Sequence, residues 1–404
     1  MTEAFGDHFF RHEYGRLVAL LVRRVGARHL EAIEDAVQIA LLEAVESWPR
    51  GVVPDNPGAW LYRVAKNRLV DELRREARRD ELAAERADVT LPSSSDDDSG
   101  DDLLRMLFLC CDDAIPVESQ LVLALKTLCG FDVREIAERL FLTEANVYKR
   151  LERARARLRE APPAASELSR EQLATRLPAV RAILYVLFTE GHLSSCARHA
   201  IRRELCDEAR RLTLILAEHA LSATPETFAL LALMHLHLAR MPARQDGSGG
   251  LLLLEEQDRS LWDQEQIQLG LAWLARSSEG EVFSRYHAEA GIAAEHCLAP
   301  SFSETRWERI VESYALLDRV APSALHTLNR ALAVAEWRGP AHGLAVIEGL
   351  EPPSWLSGSY LWSAVLSDLH RCAGHAVLAE RHRETALELA PSEAVRRALR
   401  RRLG

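Results

Sequence analysis

Asn146, Lys149, Arg150 and Arg153 crowd into one short segment whose only acid is Glu152. Amide, ammonium and guanidinium groups at that spacing donate hydrogen bonds to base edges and phosphates, which is the chemistry of a groove-reading helix. Residues 132–159 around them read as two short helices meeting at a tight turn. In the first, Val133, Ile136, Ala137 and Leu140 fall at helical spacing. In the second, Val147, Leu151, Ala154 and Leu158 form one apolar stripe, which leaves the polar residues and Arg157 off the core. Thr143 stands where an N-cap belongs, and Glu144 follows in the first turn, where the helix dipole favours a carboxylate. An ordinary amphipathic pair with a solvated basic face carries the same pattern, so the pair alone leaves both readings open.

Other residues invite a different chemistry. Glu190, Glu255, Asp258 and Asp263 are candidates for acid/base pairs or metal ligands, and the chain has 15 histidines. No HExxH pair, phosphate loop, nucleophile elbow or convergent histidine cluster accompanies them. His235 and His237 are two apart on a helix and do not share a face. Arg259 is expected to pair with Glu255 or Asp263 and, beside Trp262, to hold a bend. No catalytic residue, metal or cofactor is expected. The 7 cysteines have no CxxC or zinc spacing, and Cys110-Cys111 lies in an apolar helix, which predicts buried thiols.

The elements that position these groups are helical. The chain has 404 residues, almost half of them hydrophobic, and little Val/Ile/Thr alternation, so the expected class is all-α with several domains. No apolar run approaches the roughly 18 residues of a membrane span. The formal charge is −10, yet residues 63–79 hold seven bases against three acids and residues 149–159 hold six against one. An acidic chain with two basic windows suits local groove contacts rather than a basic coat. Residues 5–25 and 33–48 read as amphipathic helices. The second has a core face through Ile33, Val37 and Ala44 and a further mixed stripe of Asp35, Gln38, Ile39 and Leu42. That stripe is either a partner surface or a second buried face. Asn56-Pro57 opens another helix, with Leu61, Ala65, Leu69 and Leu73 as its ridge. Arg63, Asn67, Asp71, Arg74 and Arg78 run down another side, near Trp60 and Tyr62. Asn, Arg and aromatic side chains handle the bases and phosphates of a separated strand. Residues 88–102 are a polar, acidic run expected to form a solvated linker, followed by helices at 103–111 and 118–129.

Up to about Pro162 the chain resembles the extracytoplasmic-function group of bacterial sigma-70-like factors. Residues 35–42 (DAVQIALL) resemble the region-two helix of that group, and the resemblance implies that Asp35, Gln38, Ile39 and Leu42 bind the polymerase clamp. Residues 60–71 (WLYRVAKNRLVD) with Arg74-Arg75 resemble the segment that melts and reads the −10 element, which assigns strand contacts to Arg63, Asn67, Arg68, Asp71 and Arg74. Residues 132–159 resemble region four, which assigns −35 contacts to Thr143, Asn146, Lys149, Arg150 and Arg153. Phe141-Leu142 in the turn departs from the Gly of many relatives. The implied partners are core RNA polymerase, through clamp and flap, and promoter DNA, in the bacterial cytoplasm.

The implied division is a region-two domain at 1–80, a flexible acidic linker at 81–101 and a helix-turn-helix domain at 102–162. Beyond Pro162-Pro163-Ala164-Ala165-Ser166, helical patterns resume, and residues 166–404 are expected to form a tetratricopeptide-like regulatory domain. A period of 34 pairs Leu332 with Leu366, Ala333 with Ser367 and Ala345 with Ala379, and Ala386 and Pro391 close the later unit. Residues 246–250 (DGSGG) read as a turn or small hairpin. The basic end, Arg396 to Arg402, reads as a capping helix with a solvated face. Glu190, Glu255, Asp258, Arg259, Trp262 and Asp263 belong to stretches that resemble the subgroup with such a fused extension, although Thr189 replaces an expected Asn. An intramolecular contact between this domain and the sigma domains is a further expectation. The competing reading is a one-component helix-turn-helix regulator with a ligand-sensing repeat domain.

Overall fold

The computed structural model describes residues 7–48, 53–80, 99–140, 142–160, 169–192, 203–246, 250–391 and 393–404. They form nineteen α-helices and no strand beyond one antiparallel bridge, Gln245 with Leu251, on either side of the turn or small hairpin expected at 246–250, of which residues 247–249 lie outside the described residues. Contacts group the chain into two bodies, Met1–Leu187 with Asp207–Ser222 and Phe188–Cys206 with Ala223–Gly404.

The first body begins with α1 (Asp7–Val25), α2 (Leu30–Ser47) and α3 (Pro57–Asp80). Their apolar stripes face one another, and Leu17, Leu21, Ile33, Val37, Leu61 and Leu69 are completely buried. Burial of each such side chain favours the folded state by about 1.5–3 kcal/mol, which fixes the face each helix turns inward. Asn56 caps α3 by accepting from the Ala59 amide at 2.9 Å. Next come α4 (Ser99–Cys110), α5 (Val117–Thr127), α6 (Val133–Leu140) and α7 (Glu144–Glu160). Cys110 and Cys111 are buried in this core, and burial pushes the Cys111 thiol up to about 12. At Gly15 a Cβ would lie 2.2 Å from the Leu128 carbonyl oxygen, so only glycine lets α1 approach the end of α5.

Residues 81–98 of the acidic stretch, Phe141 in the turn and the Pro162-Pro163 break lie outside the described residues. Residues 99–102 differ from the expected linker, because they open α4. Asp102 is 2% exposed and accepts from Arg23 at 2.9 Å. A carboxylate in a first helical turn meets the amide dipoles there, and the guanidinium offsets its burial. The first body also includes the first eighteen residues of α8 (Arg170–His192) and most of α9 (Arg203–Glu218). Buried Arg176 of α8 donates to the Phe108 carbonyl at 3.4 Å and pairs with Asp112.

The second body stacks helical hairpins: α10 (Pro225–Arg240) with α11 (Gln264–Ser277), α12 (Arg285–Leu298) with α13 (Trp307–Val320), and α14 (Ala324–Arg338) with α15 (Pro340–Ile347). After the short α16 (Ser354–Ser357) come α17 (Tyr360–Cys372) with α18 (Ala376–Glu388), and then α19 (Glu393–Leu403). The structural register between the last two hairpins is 36 residues, not 34. Ser323 and Ser359 cap α14 and α17 identically, each accepting the amide two residues on at 3.3 Å. In that register buried Ala331 matches Ser367, and Gly343 matches Ala379, whose carbonyl accepts from Ser367 at 2.8 Å. A Cβ on Gly343 would meet the Ala331 carbonyl oxygen at 2.7 Å, whereas Ala345 is exposed. Small residues are thus needed where helices touch, two positions from where the 34-residue comparison put one. Helix α19 is not a plain solvated cap: Arg402 pairs with Asp368 at 2.9 Å and with Glu255, and Arg401 reaches Glu256 at 3.4 Å.

Because α8 and α9 complete the first body, a chain ending at residue 162 should melt well below one ending at residue 222. Calorimetry on the two fragments checks this; equal melting temperatures would refute the structural role of those helices.

Candidate nucleic-acid and polymerase interface

Helix α2 is amphipathic twice over. Ile33, Val37, Ala40 and Ala44 are buried, while Asp35, Gln38, Ile39 and Leu42 are all exposed, Leu42 to 61%. Among the described residues, the stripe is thus an exposed face and not a second buried one. Val45, 51% exposed, extends the stripe and was missed in the sequence, although it stands three residues from Leu42 on the same side. Three large apolar side chains in water on one helix leave area that only a partner removes.

On α3, Arg63, Asn67, Arg68, Asp71 and Arg74 are also exposed, opposite the buried ridge of Leu61, Ala65 and Leu69. Arg68 reaches Glu43 of α2 at 2.5 Å. The side chain of Tyr62 is held by Arg24, whose guanidinium lies 5.2 Å from the ring centre. The face therefore offers guanidinium and amide groups above a fixed aromatic support.

Helices α6 and α7 form the expected helix-turn-helix. Thr143 Oγ1 accepts from the Asn146 amide at 3.3 Å, and Val147, Leu151, Ala154 and Leu158 are buried. Asn146, Lys149 and Arg153 are exposed, and half-buried Arg150 reaches the Glu118 carbonyl at 3.4 Å. Tyr148, 59% exposed beside Lys149, is a further surface group that the apolar periodicity hid.

Tertiary structure adds a contact that no motif announced. Glu34 of α2 is 2% exposed and lies against the recognition helix, from which Arg155 donates to it at 2.5 Å, while Thr127 at the end of α5 donates at 3.0 Å. Arg155 and Arg159 also reach Glu31 at 3.5 and 3.7 Å. On another side Arg11 pairs with Glu135 of α6 at 2.9 Å and lies over the Phe131 ring. Asp35, Ile39, Arg68 and Asp71 consequently share one cleft of about 630 Å³ with Arg155 and Arg159. Removing one partner from a buried pair such as Glu34–Arg155 costs about 3–5 kcal/mol.

The charged stretches of the second body have structural employment. Asp258 and Asp263 cap their helices, accepting from the Ser260 and Gln266 amides at 2.9 and 3.1 Å. Arg259 pairs with neither Glu255 nor Asp263, contrary to expectation; it donates to the carbonyls of His296 and Ala299 at 2.6 and 2.7 Å and lies 4.5 Å over buried Trp262. The last carbonyls of a helix lack intrahelical donors, which explains that preference. Glu190 is half-buried near the end of α8.

Residues 9–79 match sigma-70 region 2, residues 105–158 match sigma-70 region 4, and residues 176–278 match a family of unknown function, DUF6596. An uncharacterized protein of Rhizobium meliloti (strain 1021) is 35% identical over 375 residues, covering 90% of this chain and 87% of that one. This chain belongs to the sigma-70-like factors of the extracytoplasmic-function type. No solved structure matches it. The sigma factor has its region 2 on α1 to α3 and its region 4 on α4 to α7, and such regions bind core RNA polymerase and promoter DNA. No described helix is long and apolar enough to cross a membrane.

Glu31 is exposed, so its reversal to Lys leaves the core intact while setting like charges against Arg155 and Arg159. Glu31→Lys should raise the radius of gyration of residues 1–222 in solution scattering. An unchanged radius would show that these pairs do not hold regions 2 and 4 together.

Proposed function

We propose that this sigma factor docks on the polymerase clamp through Asp35, Gln38, Ile39 and Leu42, with Val45 completing the surface. In this reading Arg63, Asn67, Arg68, Asp71 and Arg74 capture the unpaired −10 strand, and Thr143, Asn146, Lys149, Arg150 and Arg153 read the −35 duplex. The division follows the physics: duplex bases present their edges to a helix in the major groove, whereas −10 bases must first leave the stack. The observation that carries the reading is the exposed apolar stripe of α2 beside the exposed Arg/Asn face of α3. A one-component operator-binding regulator would leave both surfaces without a use.

The contacts between α2 and α7 give the reading a conformational step. Elements centred at −35 and −10 lie roughly 85 Å apart along a duplex, at about 3.4 Å per base pair. A body in which Arg155 touches Glu34 cannot span that distance, so regions 2 and 4 part when the promoter is engaged. The Glu34–Arg155 pair is the latch of the resting form, and the protein catalyses no covalent step itself. In this reading the regulatory domain expected at 166–404 is carried by the second body, Phe188–Cys206 with Ala223–Gly404, and the protein works in the bacterial cytoplasm.

Transcription with sigma-free core polymerase tests the assignment. Promoter-dependent transcripts are expected, and Lys149→Ala with Arg150→Ala should weaken promoter binding at least tenfold while flattening its salt dependence. Leu42→Asp should abolish polymerase binding and leave the fold intact, since Leu42 is 61% exposed and lies outside the core. Normal transcription from both variants would overturn the assignments. A chain ending at residue 222 that transcribes as the full chain does, under every condition tried, would refute the regulatory role.

A further inference from the structure

The second body contains a concentration of positive charge that the sigma function does not use. Arg240, Arg244 and Arg259 stand together with His192, His237 and His296, on the end of α10 and the segments packed against it. The His192 and His237 rings are 4.3 Å apart, and Arg244 donates to His192 Nδ1 at 2.9 Å and to its carbonyl. Arg240 and Arg259 both lie over the Trp262 ring, at 5.4 and 4.5 Å. None of the three guanidiniums makes an ion pair with a described carboxylate. Arg240 Nε, Arg259 Nη2, His237 Nδ1 and His296 Nδ1 are buried without a hydrogen-bond partner. Burial and the neighbouring cations together lower Arg244 to about 10 and His296 to about 3. Gathering uncompensated cations in a low-dielectric site is costly unless an anion joins them. The same charges repel a metal cation, so the histidines do not point to a metal.

Arg244 and His296 open onto a cavity of about 570 Å³, which falls in the size range of small-molecule sites. The remaining lining is mostly apolar, including Leu253, Trp307, Tyr314, Val365 and Leu399. Of its three acidic members, Asp368 and Glu255 are already paired with Arg402, and burial beside those two carboxylates pushes the Glu336 carboxyl up, toward its neutral form. The cavity thus combines an apolar wall with one unbalanced cationic group.

We propose that this cavity binds a small organic anion with an apolar body, its charged group on Arg244 and His296 and its body against Leu253, Trp307 and Leu399. Arg240 and Arg259 lie behind these groups and add to the positive field. Binding does not depend on the sigma assignment; any effect on transcription rests on the regulatory reading above.

Calorimetric titration of the full-length protein with octanoate, octyl phosphate and 1-octanol tests the site. At least one of the two anions should bind with Kd under about 1 mM, and 1-octanol at least tenfold more weakly. Octanoate alone binding identifies a carboxylate site, and octyl phosphate alone a phosphate site; either supports the proposal. Arg244→Gln should remove the preference for the anion, while Arg244→Lys retains it. Equal binding of octanol and the anions, or no binding of either anion, overturns the proposal. The comparison of probes uses the unmodified protein, so it decides the matter even if Arg244→Gln does not fold.

Discussion

A carboxylate buried at the contact of two helices must be met by a cation or leave the protein's interior, and Glu34 is in that position. Arg155 and Thr127 meet it, and they come from the half of the first body that holds the helix-turn-helix. Hydrophobic burial within α1 to α3 and within α4 to α7 would tolerate many mutual orientations, because apolar contact has no direction. The directed bonds to Glu34, with Arg11–Glu135 and Arg23–Asp102, select one. They are also reversible, since each partner is a charged or hydroxyl group that water can solvate once the surfaces separate. A contact of this kind suits the separation of the two reading surfaces proposed above.

The two bodies treat charge differently. In the first, carboxylates at helix contacts are matched with arginines, and the groups left over lie on exposed faces of α3 and α7, ready for phosphates and bases. In the second, the ends of helices absorb most of the charge: aspartates cap N-termini and Arg259 ties down C-terminal carbonyls. The residue after this matching is the cationic group around Arg244, which no described carboxylate balances.

Much of the first body was legible in the sequence because helical spacing alone separates core from surface. Val147, Leu151, Ala154 and Leu158 are buried, and Asn146, Lys149 and Arg153 are exposed, as a period of 3.6 requires. The exposure of Leu42 was undecidable from periodicity, since a second apolar stripe reads the same whether it meets water or another helix. The repeat register was off by two residues because the match weighed residue identity. The structure is governed by capping serines and by the close approach at Gly343, and backbone proximity is invisible to a comparison of side-chain types.

By itself, the sequence determined the all-helical class, the helix-turn-helix with its Thr143 cap, the basic faces and the two-sided character of α2. Those properties are local, set by residues within a turn or two of each other. Only the tertiary structure decided that Asp102 is a helix residue rather than linker, that Arg259 holds carbonyls rather than carboxylates, and that Glu34 joins α2 to the recognition helix. Each of these depends on which distant groups come within bonding distance, and a charged side chain carries no sign in the sequence of the partner it will find.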